Sequence, residues 1–165
     1  MLLQRLVTAA HRQPAWSELL GELVLDSQAP SGLHLAILIE PYLQFILDHS
    51  KTVEARFSRN RCAPFGRVHP GDVLLLKRSS GPLVGVCKVS AVWDYRLTPN
   101  AWAEIKERFG HALCPQDGFW EDRQEAAFAT LMRIDDARAL PDLALPKRDR
   151  RGWVVLSDHR NPRLL

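Results

Sequence analysis

Apolar residues recur along this chain with two different periods, and the first of them predicts helices. Residues 2–10 and 16–24 carry apolar side chains at i, i+3, i+4 and i+7, which predicts two amphipathic helices on either side of Pro14. Residues 29–32 read Ala-Pro-Ser-Gly, a composition typical of a turn. Because two short helices are not stable alone, we expect them to pack on the rest of the chain or, as the alternative, to form a homodimer contact.

From residue 33 onward the pattern is that of strands. Runs rich in alternating or continuously apolar residues predict five or six of them, at residues 33–39, 50–57, 73–77, 83–93, 128–134 and 153–156. Helices are predicted at residues 41–49 and 99–109, a helical turn at 121–126 and an irregular crossing at 140–146. This non-alternating order indicates an α+β fold, a small mixed or antiparallel β-barrel flanked by helices. We therefore expect an N-terminal helical extension over residues 1–32 and one domain over residues 33–160.

One predicted strand, residues 50–57, combines an apolar face with an ionic face. Successive side chains of a strand point to opposite sides, so Thr52, Glu54 and Arg56 share one face while Val53, Ala55 and Phe57 share the other. Lys51 stands directly before them. Such a segment is either an ordinary solvated strand or one wall of a polar cleft.

Composition fits an ordinary globular protein with a basic bias. The 165 residues are 46% hydrophobic and 25% charged, which is enough for one compact domain with a real core. The formal net charge is +3 and the sequence pI is about 9.0. Basic residues concentrate in residues 51–78 and 147–151. This asymmetry suits a polyanion such as nucleic acid, and a solvated loop surface is the alternative interpretation.

The sequence favours a cytoplasmic protein without a membrane partner. No apolar run is long enough to cross a bilayer, and the N-terminus lacks the features of a signal peptide. Cys62, Cys87 and Cys114 are odd in number and widely spaced, which fits reduced thiols. No metal site and no cofactor are predicted.

Three segments, taken in order, resemble the ASCH domain of the PUA-like superfamily. The family's G-x-K-x-x-E-x-R motif is matched by His49 to Arg56, which read H-S-K-T-V-E-A-R. Its Pro-Gly-Asp turn into an apolar strand is matched at residues 70–75, and its closing strand with a Trp at residues 151–156. The resemblance covers roughly residues 33–156. His49 replaces the family's Gly at a helix exit that often requires a left-handed residue, and His tolerates that conformation better than most side chains.

What the resemblance implies is a small β-barrel flanked by helices that acts on nucleic acid. PUA-like domains commonly bind RNA or modified bases, and some ASCH proteins are reported as ribonucleases. One small bacterial subgroup hydrolyses acetylated cytidine with a Lys, a Thr and a Glu. The position of that Thr is occupied here by Glu54, which disfavours the amidohydrolase activity.

The motif and the charge pattern together assign candidate site residues. Lys51 and Glu54 are the candidate acid–base pair if the protein is an enzyme, with His49 as a helper. The candidate nucleic-acid-binding residues are Lys51, Thr52, Arg56, Arg59, Arg61, Lys77, Arg78, Ser79 and Trp153. Candidate stacking aromatics are Tyr42, Trp93, Tyr95 and Trp153.

Simpler interpretations of these residues stay open. Lys51 can be a surface lysine, and Glu54 can form an ion pair with Arg56 or with Lys77 across a neighbouring strand. Three functions are therefore considered. The first is binding of RNA or a (modified) nucleotide, and the second is hydrolysis by the Lys51/Glu54 pair, as a metal-independent ribonuclease or a nucleoside-modifying hydrolase. The third is protein interaction through residues 1–32. On the last of these the protein is a homodimer joined by its N-terminal helices; otherwise it is a monomer.

Overall fold

The computed structural model describes residues 1–25, 31–147, 150–158 and 160, without the side chains of Val24 and Leu25. Its elements are α1 (Leu2–Ala10), α2 (Pro14–Leu20) with a π-helical continuation (Gly21–Leu25), β1 (Leu33–Leu38), α3 (Tyr42–Leu47), β2 (Val53–Ser58), β3 (Val73–Arg78), β4 (Leu83–Arg96), α4 (Pro99–Phe109), a 3₁₀ turn (Glu121–Arg123), β5 (Phe128–Leu143) and β6 (Trp153–Ser157). The predicted α+β class, with a small mixed barrel and flanking helices, is confirmed.

The described strands form one mixed sheet with the order β2-β5-β4-β3-β1-β6. The β1–β3 pair is parallel and the other pairs are antiparallel. The pairing of β4 with β5 shifts register at three places. Because each such irregularity bends a strand and increases its twist, these two long strands can curl the sheet towards a barrel.

The curled sheet brings one edge strand towards the other end of the sheet. Arg56 of β2 donates from Nη2 to the carbonyl of Ile37 in β1 over 2.9 Å, and from Nη1 to the carbonyl of Gly152 over 3.2 Å. Gly152 directly precedes the opposite edge strand, β6. We call the gap between β2 and the adjoining ends of β1 and β6 the seam. A side chain, and not a backbone ladder, bridges it.

The N-terminal helices pack on the sheet. Leu6 of α1 and Trp16 of α2 are fully buried in one apolar cluster with Leu35 and Leu75 of the neighbouring strands β1 and β3. Trp16 also donates from Nε1 to the carbonyl of Pro141 over 2.6 Å. Packing on the rest of the chain, the first of the two alternatives, is what these contacts show. The boundary at residue 32 and the homodimer contact stay predictions.

A second cluster fills the barrel interior and a third lies under α4. The interior cluster includes Leu74, Met132 and Trp153. The third cluster joins Val53 of β2 to Ile105 of α4. By covering β2 from outside, α4 and the loop after it bring backbone carbonyl groups towards the start of that strand.

Several predicted boundaries need correction. Residues 140–143 were expected to cross irregularly, but they continue β5, which pairs with β4 as far as the partners Leu83 and Leu143. The strand expected from residue 50 begins at Val53, because the backbone N–H of Lys51 is still bonded to the carbonyl of Phe45 in α3. The predicted turn at residues 29–32 and the basic segment 147–151 lie partly outside the described residues.

A buried carboxylate, Asp72, joins β1, the turn before β3 and the C-terminal segment. It accepts hydrogen bonds from the backbone N–H groups of Gly32 and His69, from His34 and from Arg160. Burial alone would raise the pKa of Asp72, but these hydrogen bonds outweigh it and lower the pKa well below its usual value. Trp153 donates to Nδ1 of His34 over 3.3 Å, so the His34 proton lies on Nε2 and points to Asp72.

Candidate functional site

The order of polar and apolar positions in β2 places it along a cleft at the seam. The cleft has a volume of about 260 Å³. Its lining residues are Ile37, Leu38, Ile39, Tyr42, Lys51, Glu54, Ala55, Arg56, Phe57, Phe119 and Arg123. The three charged residues of the predicted motif therefore line one cleft, and the interpretation of β2 as a cleft wall fits better than that of an ordinary solvated strand.

Lys51 is buried at the base of this cleft, with 3% of the residue exposed. Its Nζ donates to the carbonyl of Leu113 over 2.8 Å and lies 3.6 Å from Oε2 of Glu54. The same atom lies 5.4 Å from the centre of the Tyr42 ring. Burial lowers the pKa of Lys51 below its usual value, although the charge of Glu54 partly opposes the shift. The interpretation of Lys51 as a surface lysine is wrong.

Glu54 joins the two cations of the motif. With 5% of the residue exposed, its Oε1 lies 3.0 Å from Nε of Arg56 while its Oε2 faces Lys51. The Nε of Arg56 makes no hydrogen bond within the described part of the chain, so this contact is electrostatic. Pairing of Glu54 with Lys77 across neighbouring strands is wrong, because β2 pairs with β5 and lies far from β3 in the sheet order.

Aromatic rings form the other wall of the cleft. The ring centres of Tyr42 and Phe119 are 5.8 Å apart, and those of Phe57 and Phe119 are 6.1 Å apart. The guanidinium of Arg123 lies 3.9 Å from the centre of the Phe119 ring, and its Nη1 donates to the carbonyl of the same residue. The cleft can therefore stack a flat ring and present both a donor and an acceptor to its edge.

Arg123 and Phe119 were missed by the sequence analysis. They belong to a loop and a helical turn that carry no motif, and sequence distance hides their approach to β2. The one available signal was local: aromatic residues at 119 and 120 stand directly before the charged run 121–123.

The structure places the remaining predicted residues outside the cleft. Trp153 lines a neighbouring cavity, and the guanidinium carbon of Arg56 lies 5.3 Å from the centre of its ring. Thr52 is exposed; its backbone N–H donates to the carbonyl of Ala112, and its carbonyl accepts from the N–H of Ile134. His49, the predicted helper, is exposed at the end of α3 with φ at 68°.

The predicted cations away from the motif have their own contacts. Lys77 is buried, and its Nζ donates to the carbonyl of Gly81; burial, followed by the charge of Lys147, lowers its pKa. The other contacts are an ion pair of Arg78 with Glu40, an ion pair of Arg59 with Glu125, and Arg61 placed 5.4 Å from the Phe65 ring centre. Ser79 is an exposed turn residue. Lys77 therefore lies outside the cleft that the motif lines.

Of the four candidate stacking aromatics, two are near the site. Tyr42 lines the cleft, and Trp153 lines the neighbouring cavity. Trp93 instead packs on Phe109 of α4, and Tyr95 donates to Glu104. In the described ranges no three His, Cys, Asp or Glu side chains gather as a metal-binding group. No helix of the described chain has the length and apolar character needed to span a bilayer.

Comparison with known proteins supports the fold. No protein-family model matches this sequence, and no curated protein sequence matches it. The crystal structure of ASCH from Zymomonas mobilis matches with a TM-score of 0.61 and 12% identity, over 80% of this chain and 92% of that chain. A Ser-to-Ala mutant of that protein matches with a TM-score of 0.62 and 14% identity, over 82% and 96% of the two chains. A Tyr-to-Phe mutant of the same protein matches with a TM-score of 0.60 and 15% identity, over 80% of this chain and 95% of that chain. The resemblance to an ASCH domain is thus confirmed at the level of the fold.

Proposed function

We propose that this protein binds single-stranded RNA or a nucleotide by taking one base into the cleft. The observation that carries the proposal is the array of buried Lys51, buried Glu54 and half-buried Arg56, which lies between aromatic walls. Proteins recognise unpaired bases by stacking them on aromatic rings and by bonding their edges. Lys51 supplies a donor and Glu54 an acceptor within 3.6 Å of each other, which matches a base edge that carries both kinds of group.

The size and charge of the cleft fit an unpaired base. Its volume of about 260 Å³ is below the roughly 300–1,000 Å³ of pockets that bury a drug-sized ligand, so it suits a single ring system. Arg123 at the cleft wall can contact phosphate. Because cation–phosphate contacts release bound counterions, affinity is expected to fall with rising salt.

The test is a titration of labelled single-stranded RNA, read by fluorescence anisotropy at several salt concentrations. Arg123→Ala is expected to weaken binding and reduce the salt slope by about 1. Arg138→Ala removes the same charge from an exposed position of β5 outside the cleft, so it is the matched control and should bind like the wild type. Lys51→Met is expected to weaken binding while circular dichroism shows a folded protein. Absence of binding by the wild type at low salt would reject the proposal.

A second candidate, RNA cleavage without a metal, is favoured by one observation. The lowered pKa of Lys51 increases its neutral fraction, and a neutral amine can accept a proton from a ribose hydroxyl. Gel analysis of the same titration samples separates the two functions. Products that disappear in Lys51→Met and form faster as pH rises would support cleavage. Intact RNA in every sample would reject cleavage and leave binding as the proposed function.

A further inference from the structure

A second cavity adjoins the cleft along the seam. It has a volume of about 200 Å³, and Arg56 and Phe57 line both cavities. We call it the seam pocket; its further lining residues include Cys62, Pro64, Phe65, Phe128, Gly152 and Trp153. Arg56 therefore stands as a partition between two concavities that follow one another along the same gap.

We propose that the cleft and the seam pocket take two successive nucleotides of a single strand, one base in each, with the connecting phosphate beside Arg56. This inference rests on the proposed binding function and specifies its ligand: a single-stranded dinucleotide step is the smallest full ligand. A mononucleotide fills only half of the site.

The seam pocket has the surfaces that a second base requires. The half-buried rings of Phe65 and Phe128 meet edge to face, with centres 5.1 Å apart, and Trp153 lies at the Arg56 side. Its volume is again that of one ring system, not of a complete dinucleotide. Stacking of this kind accepts any base, because every base has a π-face.

Arg56 can serve the phosphate between the bases. Each Nη of a guanidinium carries two N–H groups, and Arg56 uses one of each for the carbonyls of Gly152 and Ile37. Its side chain is 21% exposed but its Nε is buried, so a phosphate would use the second N–H groups of Nη1 and Nη2. The exposed Arg61, placed over the Phe65 ring, adds positive charge at the seam pocket. Arginine is well suited to a phosphate held in this way.

The first test compares 5′-phosphorylated mononucleotides and dinucleotides as competitors of labelled RNA. The dinucleotide is expected to compete about 5- to 150-fold better, which is the effect of stacking one base. A dinucleotide with an abasic second residue is the matched control for the added phosphate and should compete like the mononucleotide. An abasic dinucleotide as effective as the complete one would overturn the inference.

Cys62 lines the seam pocket, so chemical modification of its thiol can block that pocket. Its thiol is exposed, whereas Cys87 is buried and its pKa is raised by that burial, which makes it unreactive. In a Cys114→Ser chain, N-ethylmaleimide should therefore modify Cys62. Modification is expected to reduce dinucleotide affinity to the mononucleotide level and to leave mononucleotide affinity unchanged. The same reagent on the Cys62→Ser, Cys114→Ser chain is the control.

The outcomes separate this inference from the proposed function. Equal affinity for mononucleotides and dinucleotides, or a dinucleotide advantage that survives modification of Cys62, overturns the two-nucleotide site and leaves single-base binding in place. No binding of RNA or of either competitor overturns both.

Discussion

Replacing Glu54 by Gln removes the negative charge from between two cations while keeping the size of the side chain. At the 3.6 Å that separates it from Nζ of Lys51, a carboxylate stabilises an ammonium by about 4–5 kcal/mol if the effective dielectric constant is about 20. Loss of one partner from a buried ion pair costs about 3–5 kcal/mol, in agreement with this figure. We expect Glu54→Gln to lower the free energy of unfolding by about 3–5 kcal/mol at neutral pH, and Tm by roughly 6–20 °C.

The loss should depend on pH because Lys51 can give up its proton. Without the carboxylate, the pKa of Lys51 falls further, so a larger fraction becomes neutral as pH rises. The difference in the free energy of unfolding between wild type and Glu54→Gln should therefore become smaller as the pH rises towards the ordinary pKa of lysine. Urea denaturation followed by circular dichroism, at neutral and alkaline pH, measures both the loss and its pH dependence.

A matched control uses the same substitution at the surface. Glu104 faces Arg108 over 3.7 Å, but both side chains are about half exposed (52% and 51%). Glu104→Gln should therefore cost at most about 1 kcal/mol, because water screens exposed ion pairs. If Glu54→Gln costs no more than Glu104→Gln, water screens Lys51 from Glu54 and the burial argument is refuted.

Three further predictions use other features. His49→Gly should stabilise the protein by about 0.5–1 kcal/mol, since a left-handed residue other than Gly is strained and only part of that gain is offset by the greater chain entropy of Gly; unchanged urea denaturation would contradict this. The pKa of Asp72 is lower in the folded chain than in the unfolded chain, so as pH falls the unfolded chain takes up this proton at a higher pH. Wild-type stability should therefore fall as pH drops below about 3.9. Asp72→Asn should be less stable at neutral pH and show a smaller acid loss in the same assay. For Lys51 the unfolded chain also binds more protons, between its lowered folded pKa and about 10.4, so wild-type stability should rise with pH there. Lys51→Met should lack that rise, and an identical pH profile would exclude the shift.

The sequence predicted the elements better than their arrangement. Alternation along residues 50–57 placed Glu54 and Arg56 on one face, and the turn residues around β3 marked its ends. The left-handed conformation of His49 followed from its place in the motif, and the structure confirms it with a positive φ. These features depend on neighbours in sequence, which is why a single chain reveals them.

The rest depends on how the sheet curls. Lys51 is buried because the loop after α4 supplies the carbonyl of Leu113, and no local pattern predicts that approach. Lys77 was grouped with the motif because it shares its charge, yet β3 is separated from β2 by two other strands. Arg123 reaches the cleft from a turn without any motif. Strand order decides the position of Lys77, and the packing of two loops against β2 decides the other two; composition encodes neither.

The seam is the part of the barrel wall that resists opening least, because the side chain of Arg56 bridges it. Within the described residues no backbone ladder joins β2 to β1 or β6, so parting them breaks side-chain hydrogen bonds of about 1.5–3 kcal/mol each and leaves the ladders intact. Local fluctuations concentrate where so few bonds must break. We therefore expect the barrel to open locally along the seam, where Arg56 forms the bridge. Because Arg56 lines both cavities, a separation of β2 from β1 and β6 is expected to change the shape of both.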